Sequence, residues 1–430
     1  MLVRNEQDIG ISEGKIVAFG ENLSGTAAHE VDAKRLTIFP GVIDAHVHFN
    51  EPGRTDWEGF ATGSRAAAAG GTTTVFDMPL NAHPPTIDGP AFDAKCVAAG
   101  EQSLVDFGLW GGLVPGNVDQ LEILRDRGVI GIKAFMSDSG IDDFAAVDME
   151  TLRPGMQRAA ELDLLVAVHA ESEEMTRACM QRQLAVGQTS VHAYLNSRPV
   201  EAELEAIRRA IDLAGETRCR LHIVHVSCGS GVAIVAEGRA RGVDVTCETC
   251  PHYLFFTDED MVRLGAVAKC APPLRGADEQ TALWQQLGEV TTIGSDHSPS
   301  PWPMKEGSNF FNVWGGISGC QHLLPLLIDG GNLYQSDITR LTSTAVADRF
   351  RIAGKGGLQI GKDADLTLVD VTAEEVVTAE SLHYRHRHSP YVGRPLRGRI
   401  VRTLLRGQTI FENGKFSDRP RGRFVRPVQP

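Results

Sequence analysis

No apolar run in these 430 residues approaches the roughly 20 that a helix needs to cross a bilayer, so no membrane span is expected. Basic clusters are equally missing. The formal net charge is −13, which argues against a nucleic-acid surface. The first ten residues, Met1 to Gly10, lack the basic and apolar regions of a secretory leader. The eight cysteines are scattered, with no framework of paired spacings, which fits free thiols in a reducing compartment and hence the cytoplasm. Cys247 and Cys250 have the spacing of a metal knuckle, but no second pair follows at zinc-ribbon distance. They read as a strand end carrying two thiols.

The rest of the composition, 42% hydrophobic and 23% charged, is that of an ordinary globular enzyme large enough for one big domain and a smaller one. The stretch from Phe39 to Gly53 organises the remainder. Val42 and Ile43 lead into Asp44, then His46-Val47-His48, before a proline and a glycine stop the strand. Alternate side chains of a strand share a face, so Asp44, His46 and His48 point one way. Two imidazoles at a strand end can hold a divalent metal of the zinc type. By itself, a His-x-His is more often just a half-exposed strand.

From Val42 onward, strand and helix patterns alternate. Strands are expected at Val42 to His48, Thr72 to Met78, Phe107 to Leu113, Gly131 to Met136, Leu164 to His169, Leu221 to Val226, Val243 to Cys247 and Thr291 to Gly294. Helices are expected at Trp57 to Ala69, Asn117 to Arg127, Met149 to Glu161, Pro199 to Ala214 and Val232 to Ala240. Eight apolar strands alternating with helices over roughly 250 residues fit a (β/α)8 barrel. The alternative, an open doubly wound sheet, would not gather eight strand ends around one point. Residues 1–40 and residues from 355 onward are β-like, and a glycine-rich hinge (Gly354, Gly356, Gly357, Gly361) precedes the second stretch. The expected architecture is therefore α/β: a TIM-like barrel over 41–354 and one small β-sandwich built from 1–40 and 355–430. The tail from Arg419 to Pro430 is rich in Arg and Pro, and either disorder or wrapping around a neighbouring subunit fits it.

Barrel chemistry lies at the C-terminal ends of the strands. Those ends hold His46 and His48 (first), Lys133 (fourth), His169 (fifth), His225 (sixth) and Asp296 (eighth). His222 and His297 lie at offsets that turn them away. Any one of these histidines alone would more often be a core residue bonded to backbone. Lys133 is the least ordinary, because a lysine in an apolar strand is costly unless paired or neutral. A neutral amine can add to carbon dioxide and lose a proton, giving a carbamate. That converts a buried cation into an anionic oxygen ligand able to bridge two metals.

Taken in order, His-x-His, Gly-x-Lys-x-Phe-Met, Val-His-Ala-Glu, His-Val-Ser and Gly-Ser-Asp-His resemble the amidohydrolase superfamily, in the cyclic-amidohydrolase branch of dihydroorotases, hydantoinases (dihydropyrimidinases) and allantoinases. The likeness runs from Gly14 to about Gln408. It implies that His46, His48 and Asp296 hold one metal and His169 and His225 the other, bridged by carbamylated Lys133 and a hydroxide. It further implies that Asp296 moves the proton during hydrolysis of a cyclic amide. Zinc is expected first, with manganese, cobalt or iron also suited to these ligands.

Within the branch, the arginine that dihydroorotases place after their second histidine is replaced here by Asn50. The segments His48 to Phe60, Asp77 to Thr86, Glu248 to Tyr253 and Asn309 to Ser318 resemble those of allantoinases. This implies hydrolysis of allantoin to allantoate, a neutral ring met by Asn50, Asn81 and backbone near Gly316 and Ser318, although each of these also suits a turn. Ala271 stands where relatives often carry a polar side chain. Two other readings remain: a hydantoinase acting on a different ring, and a silent scaffold homologue, which would be expected to have lost ligands. A homotetramer is what the resemblance implies.

Overall fold

The computed structural model describes residues 7–331, 333–418 and 422–428. The barrel is formed by β4 to β12, preceded by β1 (Asp8–Ser12), β2 (Lys15–Gly20) and β3 (Thr37–Pro40). Its strands are β4 (Val42–Val47), β5 (Thr72–Asp77), β6 (Asp106–Leu109) with β7 (Gly111–Gly112), β8 (Ile132–Phe135), β9 (Leu165–His169), β10 (Arg220–Ile223), β11 (Val245–Thr249) and β12 (Thr292–Ile293). β6 and β7 are one strand kinked at Trp110, so eight parallel strands result. Closure comes where the last strand meets the first: Val47 and His297 form a parallel bridge, and the His48 N–H donates to the His297 carbonyl at 2.8 Å. β4 and β5 are buried along their whole length, as parallel strands covered on both faces must be.

The expected strands are all present, and their ends differ in instructive ways. The sixth strand stops at Ile223, and His225 lies beyond it in a left-handed conformation (φ 40°). The eighth stops at Ile293, with Asp296 likewise at φ 46°. Both ligand candidates thus leave the ladder to turn inward over the mouth, at a local cost that clusters at functional sites. The helix expected from Trp57 begins at Phe60. Gly59 takes φ 90°, and the Glu51 carboxylate accepts from the Phe60 N–H at 2.8 Å, fixing the start there. Helices at Gly89–Gln102 and Glu173–Ala185 carry little apolar periodicity and were not expected.

The termini form a second layer. A five-stranded antiparallel sheet has the order β16 (Lys415–Phe416), β15 (Gln408–Glu412), β14 (Pro395–Leu405), β13 (Leu366–Val376), β3. The β1–β2 hairpin packs on it around Ile16, Ala364, Leu366, Leu368 and Leu404. Thr367 and Thr403 donate to the Gly71 and Ala68 carbonyls at 2.7 and 2.8 Å, docking this layer on the barrel. Beneath them, the Lys355 ammonium contacts Asp106 at 2.5 Å, Asp365 at 2.7 Å and Asp363 at 3.1 Å.

The C-terminal segment corrects the alternative of disorder for residues 422–428. Residues 422–428 run along the chain's own barrel, while 419–421 and the last two residues lie outside the described set. Val425 N–H donates to Phe107 O at 2.8 Å, and Phe424 packs against Phe92 and Phe107. The apolar Phe424 and Val425, interleaved with arginines, supply the adhesion that composition alone concealed.

Candidate metal centre

Strand alternation and two left-handed corners bring four imidazoles together. Ring centroids lie 5.4 Å apart for His46 and His48, 5.5 Å for His46 and His225, and 4.8 Å for His169 and His225. Asp296 Oδ1 lies 3.2 Å from His46 Nε2 and 3.4 Å from His48 Nε2. His169 Nδ1 and His225 Nε2 face each other at 3.1 Å. Lys133 is fully buried, and its Nζ has no hydrogen-bond partner. That Nζ stands 4.7 Å from the Phe135 ring, which in turn stacks on His169.

Carboxylates behind the histidines set which nitrogen is bare. Glu248 Oε1 is 2.7 Å from His46 Nδ1, so Nδ1 carries the proton and Nε2 turns a lone pair toward Asp296. Glu171 Oε2 is 2.8 Å from His169 Nε2, leaving the Nδ1 lone pair facing His225. Glu171 is itself gripped by Arg198. Burial opposes ionisation of Glu171, but Arg198 and His169 outweigh it and bring its carboxyl down to about 2. Asn81, at φ 68°, approaches His48 Nδ1 at 3.4 Å. Gly294 makes the first of these contacts feasible, since a Cβ there would meet Glu248 Oε2 at 2.6 Å.

Lone pairs aimed at a carboxylate oxygen repel one another unless a cation lies between them. This donor set of imidazole nitrogen and carboxylate oxygen, with orphaned Lys133 Nζ and His225 Nδ1 beside it, therefore fits divalent metal. Electrostatics agree. Burial drives His48, His169 and His225 below the usual histidine value, toward the neutral form that ligates. Burial likewise pushes the Lys133 amine down to about 7. For Asp296, burial favours the acid, and positive charge at this cluster, on the imidazoles or on a metal among them, holds the carboxyl well below the usual range.

Among the described residues, Asp106, Asp363 and Asp365 also converge, but Lys355 already supplies the cation there.

Of the remaining residues singled out from sequence, Asn50 is buried at φ 64° and donates weakly to Pro299 O at 3.4 Å, with its Oδ1 unpartnered. Gly316 takes φ 154° close to Ser298, and the buried Ser318 Oγ has no partner. His222 bonds Thr246 Oγ1 at 2.7 Å and packs on Phe350. His297 accepts from the Gly319 N–H at 3.1 Å and faces Phe49 and Tyr384. Sequence reasoning passed over Glu171, Arg198 and Glu248. Two of them had a readable signal: Glu171 lies two residues after His169, and Glu248 is a carboxylate in a buried strand.

A closed eight-stranded barrel with this donor set at its C-terminal mouth defines a metal-dependent hydrolase of the amidohydrolase type. The sequence profile of the Amidohydrolase family matches residues 37–410, and the chain belongs to that family. More particular likenesses follow. An allantoinase of Rubrobacter xylanophilus is 59% identical over 98% of this chain and 94% of its own length. Those of Solibacter usitatus and Deinococcus radiodurans are 52% and 49% identical, each over 98% of this chain and 93% and 95% of their own. Among solved structures, the L-hydantoinase (dihydropyrimidinase) of Arthrobacter aurescens superposes with a TM-score of 0.95 at 35% identity, covering 98% of this chain and 96% of that one. The dihydropyrimidinase of Brevibacillus agri gives 0.90 at 30%, covering 99% and 96%.

Proposed function

We propose that this chain hydrolyses the cyclic amide of allantoin to allantoate. The observation that carries the substrate is that curated allantoinases match nearly end to end at 41–59% identity, whereas the L-hydantoinase structure of Arthrobacter aurescens is 35% identical. Asn50, rather than an arginine, two residues after His48 suits an uncharged ring. Asn50, Asn81, Gly316 and Ser318 are the groups we assign to substrate, with Asn81 also steadying His48.

His46, His48 and Asp296 would hold one divalent ion and His169 and His225 a second, zinc by preference, with Lys133 as a carbamate between them. Bound there, the metals would acidify the attacking water and polarise the ring carbonyl. The Lys133 amine, at about 7, is about half neutral at neutral pH, so a lone pair is available to attack carbon dioxide and the nitrogen then sheds a proton. Asp296, ionised and facing His46 and His48, takes the proton of the attacking water. It then hands that proton to the ring nitrogen as the amide bond breaks. Glu248 and Glu171 keep the His46 and His169 rings from turning. The assembly is proposed to be a homotetramer, and the layers to divide at 1–40, 41–354 and 355–430.

The test is side-by-side turnover of allantoin, dihydrouracil, hydantoin and dihydroorotate by metal-loaded enzyme. Strong preference for allantoin is expected. Preference for hydantoin or dihydrouracil would overturn the substrate while keeping the reaction class. No turnover of any ring, with metal bound, would overturn the enzyme reading in favour of a silent homologue.

A further inference from the structure

The loop that follows the eighth strand is glycine-rich (Gly307, Gly315, Gly316, Gly319), and Gly307 and Gly316 take φ near 150°. Such a segment has much backbone freedom to lose and little of its own to hold it. Two lysines, each 4% exposed, grip it, Lys269 from the turn before the last barrel strand and Lys305 from the start of the loop itself. The Lys269 ammonium donates to Phe310 O at 2.6 Å and to the Val313 carbonyl, and lies 4.5 Å over the Tyr194 ring. The Lys305 ammonium donates to Gly316 O at 2.6 Å, Trp314 O at 3.0 Å and Ala266 O at 3.3 Å. The Gly316 N–H returns a bond to Lys269 O at 2.7 Å. Stripping an ammonium of water is expensive, and burial pushes both amines down to about 7; the carbonyls that accept from them favour the charged form but compensate it less completely than a carboxylate would. Apolar side chains could have filled the same space. What the ammoniums add is direction: each gathers several carbonyls of one loop to a point.

We infer that Lys269 and Lys305 are positioning residues for substrate: they clamp residues 304–316 so that the Gly316–Ser318 wall of the mouth is fixed before a cyclic ureide arrives. This rests on the assignment of Gly316 and Ser318 to substrate. Within the clamped loop, the Trp314 ring meets Trp57 edge-on at 4.9 Å, while Arg54 lies over Trp57. The wall therefore also abuts the loop that follows His48. Neither lysine touches the ligand histidines, so losing one should weaken substrate binding without loosening the metals.

The experiment compares metal-loaded wild type with Lys269→Met and Lys305→Met by steady-state kinetics on allantoin, metal content, and amide hydrogen exchange followed peptide by peptide. Expected is a rise in KM on the order of tenfold, kcat reduced by less than about threefold, and unchanged metal content, the signature of lost ground-state binding. Exchange should rise over 304–318 and stay unchanged in the barrel strands. Should one variant fail to fold, the other grips the same loop and carries the same test. Faster exchange with an unmoved KM would overturn the positioning role, because the loop would then not be a wall of the site. Unchanged exchange would overturn the clamp itself. If wild type turns over another ureide instead, that ring replaces allantoin in the kinetics. If it turns over none, the substrate assignment falls and the exchange data still decide the clamp.

Discussion

At the scale of single residues, Lys133 and Asp296 carry opposite demands. Lys133 is buried without a partner, so its amine is worth keeping only as something other than an ammonium. Lys133→Ala should leave metal content well below two ions per chain by elemental analysis, with turnover lost. Metal content and turnover at wild-type level would eliminate the carbamate. Asp296→Asn keeps the shape but cannot take a proton, so kcat should fall by roughly two to four orders of magnitude. A loss under tenfold would mean that another group moves the proton. Glu248→Gln replaces the acceptor that fixes the His46 tautomer, and metal affinity by competition with a chelator should drop about 10- to 100-fold. An unchanged affinity would show that the ring is held by packing alone. The six ligand candidates were legible because a polar or basic residue at the end of an apolar strand stands out against its neighbours. Arg198 was not, since nothing in a helix-terminal arginine betrays that it reaches across to Glu171.

Elements were legible where their pattern had a single cause. Strands buried on both faces read as apolar runs, and all eight were visible. Helix starts were misplaced where distant side chains fix them, as Glu51 does for Phe60. The segment 422–428 was misread because its adhesion depends on Phe424 and Val425 finding β6, a contact more than 300 residues away in sequence. That contact makes a prediction at this scale. Phe424 is only half-buried, so Phe424→Ala should cost roughly 1–2 kcal/mol, below the 3–5 kcal/mol typical of a core phenylalanine. Deleting everything after Asp418 should cost more, because it also strips Phe107 and removes the Arg423 N–H that Asp106 accepts at 2.8 Å. Both effects are read from denaturation midpoints, and wild-type stability of the deletion would mean that the strap is decorative.

For the molecule as a whole, one contact between barrel and sandwich lies at the ends of the strands opposite the site, while Tyr384 and Ser389 reach His297 and Ser318 at the mouth. Asp106 opens β6, Asp365 precedes β13, and Lys355 lies between them with Asp363 close by. The surrounding carboxylates outweigh burial and raise the Lys355 ammonium above its ordinary value, so it stays charged throughout the physiological range. Three carboxylates share that lysine, with Arg406 reaching Asp106 from the sandwich side and Lys15 pairing with Asp363 at 2.6 Å, so Asp365 depends on it most. Removing the lysine alone would leave buried anions facing one another. Lys355→Met should therefore destabilise by about 3–5 kcal/mol, the usual cost of orphaning one side of a buried ion pair. Because the hub lies a full strand length from the metal centre, the surviving folded enzyme should keep its kcat and metal content at a temperature well below the new midpoint. A loss of turnover in protein that is still folded would show that the sandwich layer speaks to the mouth. A midpoint unchanged within error would mean that the threonine bonds to Gly71 and Ala68, not the ionic hub, hold the two layers together.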